Sequence, residues 1–224
     1  MKKILLSLAL IVGSISVNYA QITEGHVTYK IDISTENPDM EMVVGMMQGS
    51  TLDIYFKEKM TRAEMKMGSM MNMTTISDEK SGEILMLMGG MMGKKAISST
   101  TEELAGDESK EKPKFEVELV DETKEIAGYK CKKAVLTDEE GNESVFWYTE
   151  EIEVSKKGQN YFNENVPGYP MQYELNNGGL VMGMTVTNIV TELSKSDMKL
   201  FDMKIPEGYS EMTMEELQQM GMGM

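Results

Sequence analysis

The chain is predicted to be a mainly β protein: a curved antiparallel sheet, or incomplete β-barrel, with a few short helices. Three observations predict this. Short runs in which apolar and polar residues alternate recur along the chain. Clusters of glycine, asparagine and aspartate separate them as turn signals. The regular strand–helix alternation that a doubly wound parallel sheet requires is missing.

At the start, Lys2 and Lys3 precede an apolar stretch from Ile4 to Val12, and Asn18-Tyr19-Ala20 ends on a small residue. That is the pattern of a secretory signal peptide. Residues 1–20 are therefore expected to be removed by cleavage near Ala20, leaving 21–224 as one β-rich exported domain. The apolar stretch is too short for a permanent anchor, and no later stretch is long and apolar enough for a membrane span. The expectation is a soluble protein, periplasmic or secreted, and not an integral membrane protein.

Val27, Tyr29, Ile31 and Ile33 alternate with polar residues as a half-buried strand. Asn37-Pro38 then supplies an N-cap and a first-turn proline. Met40, Val43, Val44 and Met47 form the stripe of a short helix that Gly49 can end. Leu52, Ile54 and Phe56 alternate again, and Ala63, Met65 and Met67 share one strand face. Gly68-Ser69 turns the chain into Met71, Met73 and Thr75, and Asp78–Gly82 turns it into Ile84–Met88. Gly89–Gly93 is expected to be a flexible loop, and Thr100–Lys114 a charged connection with one helical turn. Phe115, Val117 and Leu119 restart the strands. Gly141-Asn142 marks a hairpin between Tyr129–Leu136 and Ser144–Thr149. Gly158–Pro170 is an irregular loop. Asn176–Gly179 marks a second hairpin, between Met171–Leu175 and Leu180–Leu193. Ser196–Phe201 and Met212–Met220 are expected to be short helices.

The net charge is −15, from 37 acidic and 22 basic residues. Such a surface is repelled by phosphate backbones, so nucleic acid is excluded as the main partner. Cys131 is the only cysteine, which rules out an intramolecular disulfide. Its strand places it on the face of Tyr129 and Val135. It reads as a small buried hydrophobe, a thiol activated by Lys130 and Lys132, or a metal ligand. His26 is the only histidine and sits mid-strand, and the chain carries no metallopeptidase, nucleophile-elbow or phosphate-loop motif. No catalytic residues and no enzymatic activity are expected.

The second half carries a recognisable order of short motifs. Ile126-Ala127-Gly128-Tyr129-Lys130-Cys131 is followed by Phe146-Trp147-Tyr148-Thr149-Glu150-Glu151-Ile152, then Gly168-Tyr169-Pro170-Met171. Next come a Thr-rich strand around Thr185–Thr191, Leu200-Phe201-Asp202, and Ile205-Pro206-Glu207-Gly208-Tyr209. This order, best between residues 115 and 214, resembles the exported bacterial proteins grouped as "domain of unknown function 4412". The resemblance implies a fold similar to LolA and LolB, whose curved, incomplete barrels bind acyl chains on a concave apolar face. It supplies no catalytic residues.

Methionine is the compositional anomaly, with 25 in 224 residues. Apart from Met1 they fall into two zones, Met40–Met92 and Met171–Met224, flanking a methionine-free stretch. In the first zone four pairs stand at i, i+2: Met40/Met42, Met65/Met67, Met71/Met73 and Met86/Met88. That is about what random placement at this density gives, so the density itself needs explaining. Three explanations compete. Flexible thioethers can line an adaptable surface for an apolar, lipid-like ligand. Met65, Met67, Met71, Met73, Met86, Met88, Met182 and Met184 are then the candidate lining. Thioethers also select Cu(I) or Ag(I). Met70, Met71, Met73, Met88, Met91, Met92, Met220, Met222 and Met224 are then the candidate sulfurs. In the third explanation, methionine fills the core of a structural or partner-binding module.

Overall fold

Alternation along the chain becomes a single sheet. The structure is a computed structural model that describes residues 22–90, 93–105, 114–152, 166–177 and 179–219. Its strands are β1 (Glu24–Thr35), β2 (Ser50–Lys57), β3 (Met60–Met67), β4 (Met71–Asp78), β5 (Glu83–Gly90), β6 (Lys95–Thr100), β7 (Glu116–Ile126), β8 (Tyr129–Thr137), β9 (Glu143–Thr149), β10 (Tyr169–Asn177), β11 (Leu180–Val190) and β12 (Ser210–Glu211). Among the described residues they form one open, curved 12-stranded sheet in the order β12-β6-β5-β4-β3-β2-β1-β11-β10-β9-β8-β7. Two meanders, β1–β6 and β7–β11, are joined where β1 pairs with β11. All pairings are antiparallel except that of β12 with β6. The short helices are α1 (Glu41–Met46), α2 (Thr101–Ala105) and α3 (Met214–Gln219). The predicted fold class is therefore the observed one.

One face, called inner here, holds the main core. Val27, Tyr29, Ile31 and Ile33 of β1 are buried there, and the residues between them point to the other side. Phe56, Phe146, Tyr148, Met171, Tyr173, Met184 and Val186 join them from neighbouring strands. Tyr173 stacks on Phe146 with ring centroids 5.2 Å apart, and it meets Tyr29 edge-on at 6.2 Å. The Tyr29 hydroxyl donates to the Pro170 carbonyl at 2.8 Å, so this buried phenol is satisfied. Cys131 is fully buried in the same cluster, where its thiol donates to the Tyr129 carbonyl at 3.4 Å. Of its three readings, the small buried hydrophobe describes its setting.

α1 lies against this face. Asn37 caps a 3-10 turn (Pro38–Met40) by accepting from Asp39 N, and α1 continues from it. Met47 is buried and Val43 and Val44 are half-buried, whereas Met42 is 78% exposed. Gly68, in the β3–β4 turn, fixes the docking. Its φ is +52°, and a Cβ there would stand 2.1 Å from the Met46 carbonyl oxygen. Gly68→Ala is therefore expected to cost about 2–4 kcal/mol, from left-handed backbone strain plus displacement of α1. Denaturant unfolding checks this. An undiminished midpoint would mean that α1 is not held at this point.

The opposite, outer face has its own small core, made by the C-terminal segment. Ile76, Leu85, Leu87 and Ala96 are buried there beneath Met203, Ile205 and Tyr209. Arg62 Nη1 donates to the Leu200 carbonyl at 2.8 Å, and Phe201 is buried. The segment then passes the sheet edge as β12 and returns on the inner face as α3, where Leu217 packs with Met86 and Ile97. It thus clasps β4–β6 from both sides. The other edge, β7, is protected by charge (Glu116, Glu118, Asp121, Glu122) and by a register shift between Val120 and Thr123.

Two expectations are corrected. Gly89 and Gly90 are not loop residues: they pair with Asn72 and Met71 and extend β5. Lys95–Thr100, not expected to be a strand, is β6. The short helices expected at Ser196–Phe201 and Met212–Met220 are a 3-10 turn (Asp197–Phe201) and α3. The signal-peptide residues and most of the expected loop at Gly158–Pro170 lie outside the described residues.

Candidate functional site

Strand register decides which methionines meet. Leu52 of β2 stands opposite Met65 of β3, Met65 opposite Met73 of β4, and Met73 opposite Met88 of β5. These residues form one row across four strands on the inner face. Directly opposed side chains have Cβ atoms about 4.5–5.5 Å apart. One step along the strands lies a second row, Ile54, Ala63, Thr75 and Met86. The third, Phe56, Thr61, Ser77 and Ile84, lies one step further in the same direction. In the other direction Met67 opposes Met71, which opposes Gly90.

The middle of this surface has a distinct shape. Ala63, Thr75, Thr61 and Ser77 are small and form a low floor on β3 and β4. Larger side chains bound it: Ile54 and Phe56 on one side, Met86 and Ile84 on the other, Met65 and Met73 at one end. The floor residues, Met65, Met73 and Met88 are all half-buried. α1 covers the sheet at the Met67–Met70 end, and α3 covers Met86 and Ile97. The arrangement is a trough between two short helices, with aliphatic and thioether walls and the hydroxyls of Thr61, Thr75 and Ser77 on its floor. Its chemistry is that of apolar contact and soft donation from the walls, with hydroxyl hydrogen bonding and no carboxylate or imidazole on the floor.

The other candidate lining residues lie elsewhere on the same face. Met182 and Met184 are on β11, separated from β3 by β1 and β2. Met184 is buried against Tyr173 in the main core, and Met182 is half-buried beside it. Met86 is buried beneath Leu217. Met70 sits in the β3–β4 turn, packed against the main core near α1. Met91, Met92, Met220, Met222 and Met224 lie outside the described residues.

Polar chemistry is concentrated on the outer face. His26 Nε2 is 2.9 Å from Asp53 Oδ1, the Thr28 hydroxyl donates to that same oxygen at 2.8 Å, and Tyr55 stacks on the imidazole at 4.0 Å. Arg62 pairs with Glu64 at 2.6 Å. These groups satisfy one another, and the Thr28 hydroxyl is committed to Asp53. Burial pushes the Cys131 thiol up, disfavouring the thiolate that nucleophilic chemistry needs. Among the described residues, no three His, Cys, Asp or Glu side chains are grouped to hold a metal ion. A shallow depression of about 550 Å³ near Lys57, Glu58, Met60, Met198 and Lys199 carries both signs of charge and lies on the outer side, away from the trough.

Sequence reasoning missed the floor residues Thr61, Ala63, Thr75 and Ser77. Their signal was the drop in side-chain size on the face that otherwise carries Met65, Met67, Met71 and Met73. It becomes visible only when the two strands are aligned.

Residues 55–200 match the family model described as "N-glycanase peptide, N-terminal domain". This family is not the group of unknown function that the motifs between 115 and 214 resemble. No curated protein matches the chain. Solved structures similar to it include an uncharacterized conserved protein from Thermus thermophilus, at 12% identity and TM-score 0.49, covering 85% of this chain and 90% of that one. MucB is similar at 12% identity and TM-score 0.40, over 84% of this chain and 60% of its own. A LolA superfamily protein from Nitrosomonas europaea is similar at 10% identity and TM-score 0.23, over 82% and 92%.

Proposed function

Since the chain belongs to the N-glycanase peptide, N-terminal domain family, we propose that it serves as a non-catalytic binding module, exported from the cell, that holds an apolar, lipid-like ligand in the inner-face trough. The matched model is named for a domain of an N-glycanase, not for the whole enzyme. The observation that carries the reading is the half-buried floor of Ala63, Thr75, Thr61 and Ser77 with its methionine end wall. The apolar part of this surface, its aliphatic and thioether walls with Ala63 and the threonine methyls, gains free energy when a ligand removes it from water, about 25 cal/mol per Å². Methionine walls adapt to ligands of varied shape. On the outer face, His26, Asp53 and Thr28 bond one another and Arg62 pairs with Glu64. The signal-type start of the chain supports export, and no helix among the described residues is long and apolar enough to cross a membrane.

Native mass spectrometry of the protein, purified without detergent from its own cell envelope, tests the proposal. A lipid-sized mass increment supports it. A bare polypeptide that also fails to take up a fluorescent fatty acid overturns it. Ala63→Phe fills the floor of the trough from a half-buried position. It is expected to weaken fatty-acid binding by about tenfold or more, the loss of roughly one large side chain's apolar contact, while the unfolding midpoint stays close to wild type. Unchanged binding by this variant would move the ligand off the trough.

A further inference from the structure

We propose that Met65, Met73 and Met88 form a thioether site for a soft monovalent cation, Cu(I) or its analogue Ag(I), at the end wall of the trough. The inference goes beyond the apolar-ligand reading and does not depend on it: both use the end wall, but the metal needs the sulfur donors there, whereas an apolar ligand needs only their bulk.

The i, i+2 spacing of methionines along each strand is no more frequent than chance, so spacing alone carries nothing. Pairing across strands adds what spacing lacks. Met73 is directly opposed by Met65 on one side and by Met88 on the other. Neighbouring strands lie about 4.8 Å apart. The three rotatable bonds of each methionine let the outer two sulfurs swing inward over Met73. Three neutral sulfurs can then surround one ion without moving the backbone. Met67 and Met71, opposed to each other one step along, stand ready as further donors.

Donor type selects the ion. Thioethers favour Cu(I) over Zn(II), Mg(II) or Ca(II), which take imidazole, thiolate or oxygen. The harder donors are elsewhere. His26 and Asp53 bond each other on the outer face, and Cys131 is buried in the main core across β1 and β11. Lys95 ends the row beyond Met88, two strands from Met73. The net charge of −15 favours the approach of any cation.

Thioethers also have no proton to lose, unlike thiol or imidazole ligands. Ag(I) or Cu(I) affinity at this site should therefore be nearly constant from about pH 5 to about pH 7.5.

The test is Ag(I) titration of the full protein, and Cu(I) titration against a cuprous chelator. Wild type is compared with Met65→Leu/Met73→Leu/Met88→Leu, which conserves volume, and with Met203→Leu on the outer face as a control. Even outer partners of metal ligands are worth about 10–100-fold in affinity. The triple variant should thus lose at least about a hundredfold, with the control unchanged and fatty-acid uptake retained. Three results overturn the site: no binding by wild type, equal binding by the triple variant, or affinity that falls with acid as a thiol or imidazole ligand would require. A triple variant that keeps metal binding but loses fatty acid would reject the metal site while leaving the trough in place. The reverse failure, no fatty acid bound by any variant, would reject the apolar reading alone.

Discussion

Conformational stability, measured by denaturant unfolding, falls steeply as the pH is raised above about 10. The cause is three tyrosines in the inner core. Burial raises the hydroxyl of Tyr29 well above its ordinary value, and the nearby Tyr169 and Tyr173 add to the effect. Burial pushes Tyr169 up to about 12. Tyr173 is raised too, by burial and then by Tyr169. An unfolded tyrosine ionises near 10, whereas these stay protonated in the fold. Above that pH the unfolded chain binds fewer protons than the native one, so stability falls with rising pH. Below about pH 10 the contribution is fully present. It is lost progressively up to about pH 12, where Tyr169 ionises in place. Each tyrosine contributes about 1.4 kcal/mol per pH unit within that window, a total of about 4 kcal/mol by about pH 11. Tyrosinate absorbance provides a second check: it should rise abruptly on unfolding at about pH 11. A slope unchanged in Tyr173→Phe would show that this tyrosine is not part of the effect.

Tyr173→Ala is expected to cost about 3–5 kcal/mol at neutral pH, in line with removal of a large aromatic from a closed core. The ring is only 4% exposed. Its loss removes the stack on Phe146 and the edge contact with Tyr29. It also opens a space between β9, β10 and β1 that the sheet backbone cannot collapse to fill. Trp147→Ala, one strand away on the outer face, provides the contrast. That indole is only half-buried, and its outer cover is the Lys124 ammonium, 4.1 Å from its centroid and donating to Gln172 Oε1. The larger residue should therefore cost less. Equal losses would mean that the inner face is not the main core.

Much of the fold was legible because half-buried strands record their orientation in period-two patterns. β1, β2, β3 and β4 were read from alternation, and the two glycine–asparagine hairpins set the pairing of β10 with β11 and of β8 with β9. β6 was not legible, since Lys95-Ala96-Ile97-Ser98-Ser99-Thr100 has neither clean alternation nor a long apolar run. Its burial comes from residues far along the chain, Tyr209 on one side and Leu217 on the other. Ile84–Met88, apolar without a break, did carry a signal of burial on both faces, and the C-terminal clasp explains it. The candidate site was legible only as a list of methionines. Which of them oppose one another depends on register across β3, β4 and β5, a long-range property that no single stretch encodes. Met182 and Met184 share the face and the residue type with Met73 but stand beyond β1.

The seam between the two meanders has a kinetic consequence. β1 lies mid-sheet, and one of its two neighbours, β11, comes from the far end of the chain: Thr28 is registered with Asn188. The β4–β6 half is also left open on both faces until Met203 and Leu217 arrive. A nascent chain can therefore form the local hairpins of β1–β6 but cannot complete the centre of its sheet until β11 has been made. Contacts of such sequence separation form late, since loop closure must precede their reward. Under the export proposed above, the polypeptide would stay loose while it is threaded and would close its sheet only once β11 and the C-terminal clasp are through.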